Sequence, residues 1–358
     1  MYIISVMETQ PIKGRGTSDN PPNRFELIRY EPLDDGDFDQ RPAPATQFFR
    51  DATASIIATN DSPDVAFDAS INPYRGCEHG CIYCYARPYH EYLGFSIGLD
   101  FETKIMVKED APQLLRKELN SSKWTPQPLG ISGVTDPYQP IERRLRLTRQ
   151  CLEVLAEFRN PAWIVTKNRL VTRDIDILKR LAEHQAASVI LAVTTLDPGL
   201  ARVMEPRATA PAGRLQAIRE LTAAGIPTMV LIAPVIPGLT DHEMPDILAA
   251  ARGAGALAAG YTMLRLPHGL PELFADWLDK HFPQKKDKIL SRVRDMRGGK
   301  MNDNRFIARM KGEGVIADMV KQVFNVTKTK LGFPGKPVLS SAAFRRPQET
   351  PTLLFGED

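Results

Sequence analysis

The chain has 358 residues, 43% of them hydrophobic and 25% charged, with a formal net charge of +3. It can build a real core, as one large domain or two to three smaller ones, and its charge is too near neutral to imply a nucleic-acid partner from the total alone. With four cysteines, three of them within eight residues, and with no apolar run of membrane-spanning length, it is neither a disulfide scaffold nor a transmembrane protein.

The opening stretch, MYIISVMETQPIKGRG, lacks the charged lead and long apolar run of a signal peptide, so a cytoplasmic protein is expected. Residues 1–65 are rich in Pro, Asp, Asn and Thr and read as an extended or disordered lead. Phe25, Leu27 and Ile28 are its candidates for packing on the domain. Residues 66–268 are regular. Apolar, β-branched runs at 67–74, 129–135, 162–167, 188–195, 228–236 and 260–267 read as buried strands. Helical stretches lie between them at 110–119, 142–158, 173–185, 213–224 and 242–254. Leu145, Cys151, Leu152 and Leu155 mark one buried face, and Gly225 marks a helix stop.

Six strands joined by five crossovers give a parallel α/β array, a partial (β/α)6 barrel open on one side. In barrels the chemistry sits at the C-terminal strand ends. That rule points to Asn72, Thr135, Asp136, Lys167, Thr194, Thr195, Pro234 and Arg265. Residues 269–358 read as a helical basic extension with a polar tail.

The segment GCEHGCIYCYARPYH follows the first barrel strand and spaces its cysteines as Cys77-x3-Cys81-x2-Cys84. Three thiolates on one loop can hold three irons of a [4Fe–4S] cubane and leave the fourth iron open to a ligand. Structural zinc is the alternative, with His79 or His90 as fourth ligand. Cys151 falls inside a helix and faces the core.

CxxxCxxC with an aromatic before its last cysteine, here Tyr83, resembles the radical S-adenosylmethionine (SAM) superfamily. Within it, GCIYCYARPY, ISGVTDPYQPIE, IVTKNRLVTRDIDIL, VTTLDPGLARVMEPRAT and AAGIPTMVLIAPVIPG resemble, in order and spacing, the spore photoproduct lyase or DNA repair photolyase-like branch. The resemblance implies a partial barrel of the radical SAM type. It also implies a cluster whose open iron chelates SAM, and a 5′-deoxyadenosyl radical formed by reductive cleavage. A one-electron donor such as a flavodoxin or ferredoxin would then be needed.

By the same match Lys167 pairs with the SAM carboxylate, Thr194 and Ser132 hydrogen-bond at the cofactor site, and Glu205 and Arg207 contact SAM or substrate. Tyr85 lies near the adenine or the radical path. Each has a structural alternative: a rim lysine, a strand-end threonine, a loop salt bridge between Glu205 and Arg207, a packed aromatic. In spore photoproduct lyase a cysteine on the second strand segment returns hydrogen to the product radical. Gly133 stands at that position here, and Tyr138 on the following loop is a candidate hydrogen-atom relay.

Between Gln284 and Lys311 stand ten Lys or Arg against three Asp, a net of +7. This stretch is either a phosphate-binding surface or a solvated helix face. Three functions stay open: a radical SAM enzyme acting on a nucleic-acid lesion, a radical SAM enzyme modifying RNA or protein, and a non-catalytic zinc or nucleic-acid binding protein.

Overall fold

The computed structural model describes residues 10–25, 44–65 and 67–347, and Leu27 and Ile28 lie outside them. Ten strands fall within these residues: β1 (Gln47–Arg50), β2 (Ile57–Thr59), β3 (Ala69–Ile71), β4 (Tyr74–Arg75), β5 (Lys104–Val107), β6 (Leu129–Ile131), β7 (Ala162–Thr166), β8 (Ala187–Ala192), β9 (Thr228–Val235) and β10 (Ala258–Met263). The main sheet runs β10-β9-β8-β7-β6-β3-β2. From β3 to β10 its neighbours are parallel, and β2 alone adds antiparallel to β3. The six expected barrel strands are therefore present in the expected order. Nearly every residue of β7 and β8 is buried, as befits strands covered on both faces. Leu152, Leu155, Ile177, Leu181, Ile218 and Leu221 supply the helical cover.

The sheet curves. Tyr85 touches both of its arms: the hydroxyl donates to the Gly133 carbonyl beyond β6, and the ring lies under Arg265 beyond β10, 5.1 Å from the guanidinium carbon.

Three features differ from the sequence reading. The helix expected over 142–158 is two pieces, Glu142–Leu145 and Leu147–Phe158, broken at Arg146 with φ 54°. The cause is Glu142, whose buried carboxylate accepts from the N–H of Thr148 at 3.0 Å and of Arg149 at 3.3 Å and so starts the second piece. The lead is not merely extended. It holds β1 and β2, and β1 joins β5 and β4 in a second, three-stranded sheet. Residues 16–23 dock by polar contacts, with Asn23 Nδ2 donating to the Glu91 carbonyl at 2.9 Å, whereas Phe25 stays exposed. The tail, finally, is a strap. It bonds to residues just ahead of β10, β8 and β7: Gly335 N to Leu257 O at 3.0 Å, Ser340 N to Gln185 O at 3.0 Å and Arg345 N to Phe158 O at 2.9 Å. Among the described residues no helix is long and apolar enough to cross a membrane.

Cys151 is 0% exposed, as its place in the helix implied, and burial pushes its thiol well above the usual range. In native protein it should stay unlabelled by iodoacetamide and react only when the chain unfolds, as mass spectrometry of digests will show. Labelling under native conditions would contradict this packing.

Candidate functional site

The cysteine loop leaves β3 and β4 and lies across the C-terminal strand ends. Gly76 (φ +77°) and Gly80 (φ +66°) take turns that side chains disfavour. Between them Cys77 N donates to Phe101 O at 2.9 Å, and after them Cys84 N donates to Cys81 O at 3.2 Å. Cys77 and Cys81 are buried and Cys84 is half-buried.

A buried ion pair fixes the middle of the loop. Arg87 and Glu102 face each other with 0% side-chain exposure at both. Arg87 Nε donates to the Cys81 carbonyl at 3.0 Å, and Nη1 to Ile97 O and Gly98 O. Glu102 also accepts the N–H groups of Gly16 at 2.9 Å and Thr17 at 3.1 Å, from the lead. A Cβ on Gly80 would stand 2.6 Å from the Glu102 carboxylate, and one on Gly16 would strike the Gly80 carbonyl.

Three further carboxylates clamp the loop's edges. Glu78 accepts from Ile141 N at 2.8 Å and pairs with Arg207 at 3.0 Å. Asp136, after β6, accepts from Thr166 Oγ1 and Lys167 N, both at 2.7 Å, and faces His79 Nδ1 at 3.3 Å. Burial works against Asp136 ionising, but His79 and these donors outweigh it and hold the carboxyl at about 2. Glu205, after β8, pairs with buried Arg214 and accepts from Tyr83 and from Thr194, the latter at 2.8 Å. Burial is again outweighed, by Arg214 and Lys167, and its carboxyl is held at about 2.

The thiols feel one another. Burial, Glu205 and the two other thiols push Cys81 well up, while Lys167 pulls it back; burial and Cys77 raise Cys84. Yet among the described residues no three His, Cys, Asp or Glu side chains gather as a single metal ion requires. The two histidines named for a zinc site differ: His79 is engaged at both ring nitrogens, whereas His90 Nε2 is buried with no partner among the described residues. His79 Nδ1 faces Asp136 and Nε2 contacts Asn168 Nδ2 at 3.2 Å, while His90 packs against Phe95 and Phe101.

The proposed contact residues divide. Lys167, Tyr85 and Ser132 are at the mouth. The Lys167 ammonium lies 5.7 Å from the Tyr83 ring centroid; Ser132 has φ +152° and donates to Thr135 O at 3.2 Å. Thr194, Glu205 and Arg207 sit below it in salt bridges and hydrogen bonds that hold the loop, Glu205 with Arg214 and Arg207 with Glu78 rather than with each other. Tyr138, expected on the loop at the mouth, is instead fully buried, and its hydroxyl donates to Asp174 at 3.1 Å. The basic segment is also less free than its count suggests. Lys286, Arg292, Arg305 and Arg309 pair with carboxylates, and Arg297 and Lys311 with backbone carbonyls. Sequence reasoning missed Arg87, Glu102, Glu78 and Arg214. Glu78 and Arg87 could have been found by their place in and just after the cysteine motif; Glu102 and Arg214 carried no comparable signal.

Residues 71–251 match the family model described as the radical SAM superfamily. An uncharacterized protein of Mycobacterium tuberculosis is 35% identical over 244 residues, 67% of this chain and 71% of that one. A protein of Pseudomonas phage M6 named radical SAM Nalpha-GlyT isomerase is 28% identical over 176 residues, 48% of this chain and 34% of that one. Among solved structures, a cysteine-to-serine mutant of spore photoproduct lyase has a similar fold, with TM-score 0.54 at 14% identity over 82% of this chain and 86% of that one.

Glu102→Gln would leave the Arg87 guanidinium buried without a counter-charge. Urea unfolding of the apo protein should show a loss of about 3–5 kcal/mol, with lower iron content after reconstitution. An unchanged midpoint and full iron would show that the pair does not hold the loop.

Proposed function

The chain belongs to the radical SAM superfamily, whose cofactors are a [4Fe–4S] cluster and SAM, and from that premise we propose that it is a radical SAM enzyme acting on a nucleic-acid base at the barrel mouth. The observation that carries the reading is the cysteine loop itself: three coupled thiols on a strand-end loop, with Lys167 beside them.

Cys77, Cys81 and Cys84 would hold the cluster. Bound there, cluster and SAM together supply one-electron cleavage of a sulfonium bond and a 5′-deoxyadenosyl radical. The chain's part is to orient and to shield. Lys167 offers an ammonium to the SAM carboxylate. Tyr85 and Ser132 line the approach. Glu78, Asp136 and Glu205 sit close to an anionic group, and each is matched by a cation, so none repels it uncompensated. Cys77 and Cys81 are withdrawn from water and Cys84 is half-buried, which limits water at the reacting centre. Cys151 is the one cysteine left over and is buried, so electrons would arrive from outside, from a donor such as a flavodoxin or ferredoxin.

Support for a nucleic-acid substrate comes from the fold shared with spore photoproduct lyase, a form of which is described with bound AdoMet and dinucleoside spore photoproduct. Exposed Tyr85, Tyr89 and Phe306 add planar faces on which bases can stack. Exposed Lys285, Lys288, Arg294 and Lys300 of the basic segment could meet the strand beyond the mouth. Gly133 carries no thiol, so the hydrogen-return step of spore photoproduct lyase is not part of this reading. A reduced cytoplasm is where four free cysteines would persist.

Protein purified without oxygen should be brown, carry about four iron and four sulfide per chain, and release 5′-deoxyadenosine when reduced with SAM. Colourless protein with one zinc would overturn the assignment. Alanine at Cys77, Cys81 or Cys84 should abolish iron loading. Lys167→Ala should keep the iron and weaken SAM binding roughly tenfold to a hundredfold, measured by equilibrium dialysis.

A further inference from the structure

Several arginines drawn into this molecule are answered by carboxylates, Arg87 by Glu102, Arg214 by Glu205, Arg149 by Asp174 and Arg173 by Glu142, and buried Arg297 by the carbonyls of Leu264 and Ala308. Arg265, at the mouth just beyond β10, is an exception. Among the described residues its Nε is buried with no hydrogen-bond partner, and its Nη1 reaches only the Met310 sulfur, at 3.7 Å. Its guanidinium rests on the ring of Tyr85, the residue after the third cysteine. Asp64 is near enough to act on its charge but is already taken. Arg309 Nε donates to Asp64 at 2.7 Å, and the Ile307 N–H donates to the same oxygen at 2.9 Å.

Arg265 and Arg309 thus share one carboxylate, with Arg297 near enough to add to the positive charge left over at the mouth. Withdrawing such a charge from water without a counter-ion is costly, and a π face offsets only part of that cost. Nε is shut off from solvent and Nη1 meets only a sulfur, so a small shift of the guanidinium would offer a fork to two oxygens of one anion. Flat, exposed side chains stand around it: Tyr85 at 41%, Tyr89 at 55% and Phe306 at 51%, with Arg309 over Phe306 at 4.7 Å. A phosphate flanked by stackable rings fits this patch better than a carboxylate on a peptide, which would not use the rings.

We propose that Arg265 seats a phosphate group of the substrate, so that the group attacked lies over Tyr85 beside the cluster loop. This rests on the radical SAM reading but is tested apart from it. Iron content and 5′-deoxyadenosine release of the wild type decide that reading; binding of a labelled strand decides this one. Fluorescence anisotropy of labelled single-stranded DNA on anaerobic holoenzyme should show Arg265→Gln weakening binding roughly tenfold to a hundredfold. The salt dependence should become shallower by about one phosphate contact, with iron content kept. Arg265→Lys should recover only part of the loss. Lys179→Gln, an exposed change on the helix Ile175–Ala182 outside both the mouth and the basic run, should cost far less.

Excess mononucleotide should compete if one phosphate suffices, and a longer strand alone should compete if neighbouring phosphates are needed. Either result upholds the seat if Arg265→Gln removes it. The proposal is overturned if the wild type does not bind the strand, or if Arg265→Gln binds it with wild-type affinity and salt slope. It is also overturned if an acidic peptide competes through Arg265 and the strand does not.

Discussion

A guanidinium and a carboxylate facing each other away from water, Arg87 and Glu102, are the fixed point of this molecule's working end. A lone buried charge is among the most destabilising defects a fold can carry. Together they order three separate stretches of chain. Arg87 holds the carbonyl of the middle cysteine, Glu102 collects two N–H groups from the lead, and Gly80 is small because the carboxylate lies where its side chain would be. The loop's course is thus set by polar contacts within the protein, not by iron alone.

Around that point the barrel's loops converge through further carboxylates. Glu78 ties the cysteine loop to the segments after β6 and β8, Asp136 ties it to the segments after β6 and β7, and Glu205 ties it to the segment after β8. Each carboxylate is balanced by its own cation. The sulfurs therefore sit in a nest of fixed dipoles and paired charges, with Lys167 as the cation left to face a visitor. Arg265, on the far arm of the sheet, has the same standing.

The barrel was legible because it rests on repetition. Buried parallel strands such as AWIVT and SVILA are near-continuous apolar runs, and the helices between them carry their apolar face at regular spacing. The cysteine spacing was legible for a different reason: few other arrangements put three thiolates on one loop. What escaped the sequence reading is what depends on partners far along the chain. Glu142 looks like any helical glutamate until Tyr74, Arg173 and two N–H groups meet on its carboxylate and split the helix. The lead has no periodicity because it docks by backbone and amide contacts. Tyr138 looked like a mouth residue because its loop is at the mouth, but only the fold could show its ring turned to Asp174. The basic run was read as a sum of charges, whereas geometry pairs most of them off.

The strap under the barrel bears on how the chain is made. Arg346 ends it by donating to the Trp124 carbonyl, 222 residues earlier. Loops of that span close slowly, and they close last when synthesis proceeds from the N-terminus. Every crossover must already have left the ribosome before this ligature can be tied. Until then the undersides of β6, β7, β8 and β10 are bare, and a nascent chain stalled short of residue 335 would present them to chaperones.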